Sequence, residues 1–234
     1  MTQLINQDQI KEHIIHRYEN LLLDEVSIDK TKETITGTFK LCITNHDSLS
    51  RQIFSKSKEK NKKILTPQLC MESLALASIV CSGKLKKNQM AIFAGITNFK
   101  KENDLPFGEP LIGYVEKQGD KNGFLKFKGS LSNTKGHSLA SGEMMAYFSD
   151  TTISNDESTS KKLDPINIPK NKTPIIKENY PKPAQMVILD HLLEINENSI
   201  LGSYTYPHTH PFTKGHFPEN PIMMGIMQWI SLEY

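Results

Sequence analysis

The chain has little of what marks several common protein classes. Its 234 residues include three cysteines, Cys42, Cys70 and Cys81, and one tryptophan. No two cysteines stand in a Cys-x-x-Cys spacing, so neither a disulfide framework nor a paired-thiol redox or zinc motif is indicated. Three reduced and mostly buried thiols are expected. No apolar run approaches the ~18 residues that a membrane-spanning helix needs. The opening Met1-Thr2-Gln3-Leu4-Ile5-Asn6-Gln7-Asp8 has neither the basic start nor the apolar stretch of a signal peptide, and a cytoplasmic protein is expected. Charge of one sign is also lacking. Lys and Arg number 28 against 26 Asp and Glu, a formal net charge of +2, which points to neither nucleic acid nor a membrane surface. Hydrophobic residues make up 37% and charged residues 23%, which suits a folded globular chain and excludes a disordered one.

Proline is concentrated rather than scarce. Pro165, Pro169, Pro174, Pro181 and Pro183 fall in a Ser-, Thr-, Asn- and Lys-rich stretch where apolar residues are isolated. Residues 151–183 therefore read as a linker, at a length more usual between units than inside one. The expected organisation is a first unit over residues 1–150, the linker, and a second unit from residue 184 to 234. In the first unit, residues 20–26 and 35–43 read as strands. Residues 67–80 read as a buried helix with Pro67 in its first turn and Gly83 at its end. Strand candidates follow at residues 90–99, 111–117, 124–132 and 138–149. This order predicts an α+β fold, one antiparallel sheet wrapped around one long helix.

The opening then repeats. Met186-Val187-Ile188-Leu189-Asp190 matches Leu21-Leu22-Leu23-Asp24, and Ile200-Leu201-Gly202-Ser203-Tyr204 matches Ile35-Thr36-Gly37-Thr38-Phe39, at nearly one offset. An internal duplication is expected. The second unit reaches only the start of its helix, at residues 226–234, so a fragment of a longer protein is expected.

Two residues stand out chemically. His216 lies between Gly215 and Phe217, with Pro218 and Pro221 behind it and an apolar helix opening at Gly225. Such a turn puts an imidazole beside a helix N-terminus, where free N–H groups suit a developing oxyanion and a histidine suits a general base. Taken alone, a loop histidine is more often held by backbone. Glu72 is a lone acid in an otherwise uncharged helix, where burial of an unpaired carboxylate is costly. His16, His46, His137, His191, His208 and His210 read as structural or exposed. His208-Thr209-His210 lacks further ligands at a zinc-site spacing.

The run Gly215-His216-Phe217-Pro218-Glu219-Asn220-Pro221-Ile222-Met223-Met224-Gly225 resembles the active-site signature of 3-hydroxyacyl-[acyl-carrier-protein] dehydratases of the FabZ/FabA type, Gly-His-Phe-Pro-Gly-x-Pro-Ile/Val-Met-Pro-Gly. It departs at Glu219 and Met224. Ile15-His16-Arg17-Tyr18-Glu19-Asn20-Leu21-Leu22-Leu23-Asp24 resembles that family's opening segment. Gln68-Leu69-Cys70-Met71-Glu72-Ser73-Leu74-Ala75 resembles its central helix with the catalytic acid, although Leu76 stands where a glutamine is usual. The resemblance implies a hotdog fold in two tandem units, the second incomplete.

It also implies a histidine and an acid from two different units, with the acid 14 residues after the histidine position in each repeat. In the second unit that position is Ile230, with Glu233 three residues beyond as a displaced acid. In the first unit Glu72 is present, but the histidine position falls on Lys58. The losses are complementary, and the pair His216 and Glu72 is expected to form one site across a pseudo-dimer.

The resemblance implies dehydration of 3-hydroxyacyl thioesters to trans-2-enoyl thioesters in fatty-acid or polyketide-type synthesis. His216 is the implied base and Glu72 the implied acid. The Gly225 N–H would hold the thioester oxygen, and the Ile222 carbonyl would orient His216. Phe217 and Pro221 would line the substrate site, and the acyl chain would lie in a tunnel between the two helices. No metal or redox cofactor is implied. The implied partner is an acyl carrier protein with its phosphopantetheine arm, docking on lysine clusters at residues 56–63, 84–87 and 100–101, and a homo-oligomer is compatible with the fold. The alternative is a non-catalytic acyl-binding or scaffold module of a synthase; a hydrolase on the same fold is the third reading.

Overall fold

The structure is a computed structural model. It describes residues 2–30, 34–44, 55–59, 62–83, 85–86, 89–150, 172–179, 184, 187–207, 209–210, 212–216, 218 and 223–231. One sheet has seven antiparallel strands. Its strands are β1 (Thr2–Asn6), β2 (Glu25–Asp29), β3 (Thr36–Leu41), β6 (Gln89–Lys101), β8 (Leu111–Lys121), β9 (Phe124–Asn133) and β10 (Ser138–Asp150), in the spatial order β1-β2-β3-β8-β9-β10-β6. A small sheet of β4 (Ser55–Glu59), β5 (Lys62–Leu65) and β7 (Leu105–Pro106) stands beside it. A short helix α1 (Gln7–Ile10) follows β1, closed by a capping box between Asn6 and Gln9.

Alternation decides which face of the sheet is covered. On β9, Leu125, Phe127 and Leu131 are buried, while Lys126 and Lys128 face water. The turn into β9 is Asn122-Gly123, both at positive φ of 53° and 79°, the backbone that a tight hairpin demands. Across the covered face lies α2 (Pro67–Ser82), buried from Gln68 to Cys81. It sits close because the sheet offers glycine beneath it: a methyl on Gly129 would come within 2.7 Å of the Leu74 side chain. In this apolar setting the hydroxyls of Ser73, Ser78 and Ser82 donate to carbonyls of their own helix, those of Cys70, Leu74 and Ser78. Cys70 and Cys81 are buried free thiols and Cys42 is half-buried; burial pushes both buried thiols up to about 12.

The four later strand expectations hold with somewhat longer strands, residues 35–43 form the shorter β3, and β1, β4, β5 and β7 were not expected. β1 pairs with β2 along its whole length, although only Leu4 and Ile5 mark it in the sequence. The expected strand at residues 20–26 begins instead at Glu25, after a 3-10 turn at Tyr18–Asn20. Within the expected linker, residues 151–171 and 180–183 lie outside the described residues. Thr173–Pro174, however, forms a short strand, β11, that pairs with β12 (His191–Ile195), which pairs in turn with β13 (Ile200–Ser203).

The two sequence-matched hairpins are built alike. Asp24 N–H donates to the Lys40 carbonyl and its carboxylate accepts from Cys42 N–H at 2.7 Å. Asp190 N–H donates to the Ser203 carbonyl and its carboxylate accepts from Thr205 N–H at 2.8 Å. Beyond the second hairpin, α3 (Gly225–Ser231) packs on α2. Its Ile226, Met227 and Ile230 join the same apolar core as α2, and Trp229 meets Phe99 edge-on at 5.4 Å.

Candidate active site between two loops and the buried helix

The site is assembled where residues 14–20 meet residues 212–216. Arg17 fixes the first of these loops. Its guanidinium donates to the carbonyls of Lys11, Ile14 and His16 at 2.7–3.0 Å, so one planar, always charged fork holds three backbone oxygens. Tyr18 then takes a φ of 53°, uncommon for an aromatic residue. Its ring lies under the Lys214 ammonium at 4.6 Å.

The second loop docks on this frame through backbone. Arg17 N–H donates to the Gly215 carbonyl at 3.0 Å, and the buried Asn20 side chain donates to the Phe212 carbonyl at 3.1 Å. The approach is so close that Gly215 has no room for a side chain: a methyl there would land on the Arg17 carbonyl oxygen and the Asn20 amide. Glycine at 215 is thus a packing requirement of the loop that carries the histidine. His210 steadies the loop from behind. Its Nδ1 accepts from Phe212 N–H at 3.3 Å, and its ring lies against Tyr206 at 4.9 Å.

His216 is buried, and so are Glu72 on α2 and His16. His16 stands against both of the others. Its Nε2 lies 3.6 Å from a Glu72 carboxylate oxygen, and its ring meets the His216 ring edge-on at 4.9 Å between centroids. The sequence reading gave His16 as structural or exposed; it is buried, and it lies against both residues expected to react. The signal was present in His16-Arg17-Tyr18, part of the segment resembling the family's opening, but its place beside Glu72 depends on tertiary packing.

Burial pushes the Glu72 carboxyl up to about 7. His16 is held well below the ordinary imidazole range, first by burial and then by the nearby His216 and Arg17. Both shifts favour neutral forms, so the 3.6 Å contact is not a resting ion pair. Glu72 is thereby set to exchange protons near neutral pH.

Of the other expected site residues, Gly225 stands exposed at the first position of α3. Phe217, Pro221 and Ile222 lie outside the described residues, as does Glu233. His46 and His208 do as well. His137 is exposed and His191 half-buried, as read, whereas His210 is buried. Among the described residues no cluster of three or more His, Cys, Asp or Glu is arranged for a metal, and no helix is long and apolar enough to cross a membrane.

A small apolar crevice, with room for about one water molecule, lies under α2 against β6, β9 and β10. Ala75, Ile79, Phe93, Phe127 and Met144 line it. Ala75 and Ile79 follow Glu72 on one helix stripe, so the cavity starts within about a turn of the acid. It lies between helix and sheet, whereas the sequence reading expected a tunnel between the two helices.

No protein-family model matches the chain. A 52-residue stretch is 36% identical to the 3-hydroxyacyl-[acyl-carrier-protein] dehydratase FabZ of Streptococcus pneumoniae. That stretch is 22% of this chain and 37% of the relative, so the chain spans well under half of the curated relative it matches. Among solved structures, the dehydratase heterocomplex ApeI:P of Xenorhabdus doucetiae superposes with a TM-score of 0.50 at 16% identity, covering 61% of this chain and 92% of that one. The superposition shows the fold, which is the hotdog fold, and the sequence match is a 52-residue likeness to the FabZ-type dehydratases.

Proposed function

We propose that the chain dehydrates 3-hydroxyacyl thioesters, carried on an acyl carrier protein, to trans-2-enoyl thioesters in fatty-acid or polyketide-type synthesis. The observation that carries this reading is the packing of Glu72, from the first unit's helix, and His216, from the second unit's loop, on one buried histidine. Residues 1–150 and 184–234 act as two hotdog units, the second partial, that share this one site.

The chemistry follows from the charge states. His216 takes the acidic C2 proton, which a thioester carbonyl makes removable. The developing enolate oxygen is held by the Gly225 N–H at the start of α3, with the Ile222 carbonyl orienting His216. Glu72, raised to about 7 by burial, still carries a proton near neutrality and delivers it to the departing hydroxyl. Phe217 and Pro221 wall the thioester, and the apolar crevice under α2 opens to take the acyl chain. Elimination of water transfers no net electrons, so no step calls on a redox cofactor.

The lysines at 100–101, with those at 56–63 and 84–87, supply a basic docking face for an acidic carrier protein. Lys101 already holds Asp104 at 2.7 Å, which leaves Lys100 the freer of that pair.

The test is hydration of a crotonyl thioester, followed by loss of enoyl absorbance. His216→Ala and Glu72→Gln should each lower kcat by about 10²–10⁴-fold. Wild-type rates in either variant would refute the assigned roles. If the wild type itself binds acyl thioesters without turning them over, the acyl-binding reading replaces this one.

A further inference from the structure

One elimination leaves the site unbalanced. The C2–H electron pair becomes the C2=C3 π bond, the C3–O bond breaks, and the hydroxyl departs as water with the proton of Glu72. His216 is then an imidazolium and Glu72 a carboxylate. A second round requires one proton to pass from His216 to Glu72. Bulk water is poorly placed to do this, since His16, Glu72 and His216 are 5%, 7% and 8% exposed.

His16 is the group in contact with both ends of that path. We infer that His16 is a proton relay that resets the site after each turnover, taking the proton of His216 at Nε2 and releasing it from the same atom to Glu72. The Nε2 atom is 3.6 Å from the Glu72 oxygen, longer than a formed hydrogen bond and of a kind that closes when the substrate complex tightens. Nδ1 keeps its own proton throughout, so the starting tautomer returns as soon as Nε2 gives up the proton it took, and a turn of the ring about its Cβ–Cγ bond carries Nε2 between the two partners. No co-reactant is needed: one proton leaves His216, one arrives at Glu72, and His16 ends neutral.

The charged groups around His16 fit a relay better than a base. Positive charge on His216 and on Arg17 both disfavour an imidazolium at His16. A proton arriving from His216 is therefore passed on rather than kept. Arg17 is turned to the carbonyls of Lys11, Ile14 and His16, and it fixes the backbone on which the His16 ring turns. Glu72 is the acceptor on α2, and the His216 loop supplies the donor.

This inference rests on the proposed dehydration, and the experiment separates the two. Single-turnover and steady-state dehydration are compared for wild type, His16→Asn and His16→Gln, with folding checked by thermal melting. The relay predicts that steady-state turnover falls about tenfold or more, while the first turnover falls far less, giving a burst followed by a slow phase. Added imidazole should restore the slow phase. A purely structural role would depress both phases together, and imidazole would not help; that result overturns the relay alone. A wild type that shows no first turnover overturns the dehydratase reading and the relay with it. Should both variants fail to fold, the wild type still decides. Its steady-state rate should not change with imidazole concentration at fixed pH and ionic strength, and a rate that climbs with imidazole would show that buffer, not His16, resets the site.

Discussion

Replacing Gly215 with alanine tests how the site is held together. The added methyl would overlap the Arg17 carbonyl oxygen and the Asn20 amide nitrogen, and would sit 3.1 Å from the Arg17 carbonyl carbon. Two of these atoms are backbone, in a loop that the Arg17 guanidinium fastens at three carbonyls, so they do not yield cheaply. Relief comes from pushing residues 212–216 outward by about an ångström. That movement breaks the Arg17 to Gly215 hydrogen bond, worth about 1 kcal/mol, and the buried Asn20 to Phe212 bond, worth about 1–3 kcal/mol. A loss of about 2–4 kcal/mol is expected, in the range of overpacked cores. The same movement separates the His216 ring from His16, so enoyl-thioester hydration should fall with stability. Gly95→Ala is the control, since a methyl there meets nothing within 4 Å. Urea denaturation gives the comparison. A Gly215→Ala protein within about 0.5 kcal/mol of wild type, with its activity kept, would refute the docking argument.

Further expectations concern charge, a single hydrogen bond and the cavity. Glu72 is raised from an ordinary 4.5 to about 7, so the folded chain binds more protons than the unfolded one between those values. Its contribution is intact below pH 4.5 and is lost as pH rises through about 7. Glu72→Gln should therefore gain on the wild type by about 3 kcal/mol between the two ends of that window, measured by denaturation at each; a constant difference would contradict a buried neutral acid. His16, shifted downward, acts in the opposite sense: its neutral form is favoured above the ordinary 6.5 and costs stability as pH falls below it, so His16→Gln should flatten the acid limb of the same curve. Asn20→Ala strands the buried Phe212 carbonyl and should cost about 1–3 kcal/mol by urea denaturation, more than Asn103→Ala, whose bond to Ser138 is exposed. Ala75→Leu narrows the cavity under α2. It should lower kcat/KM for long acyl substrates more than for short ones, by about 0.8 kcal/mol per excluded methylene, and an equal loss at every chain length would refute that placement of the acyl chain.

Much of the fold was legible because local rules agreed with the global arrangement. Pro67 and Gly83 bracket α2 as expected, and alternation marks β8, β9 and β10 to within a few residues. The likeness of the two hairpins was legible through Asp24 and Asp190, whose side chains make equivalent backbone bonds. Strand β1 was not, because its stability comes from pairing with β2 rather than from its own pattern.

The sequence by itself singled out the candidate residue types. A lone carboxylate in an uncharged helix and a histidine in a Gly-Pro turn are chemical statements before any folding is considered. Which groups meet was decided only by tertiary structure. Residues 16, 72 and 216 are far apart along the chain, and no periodicity couples them. They converge because Gly215 lets two backbones touch, Arg17 locks one of those loops, and α2 is buried under both. The same burial removes water from Glu72 and His16 and drives both toward neutral forms, a property of the packed interior that the order of residues does not carry.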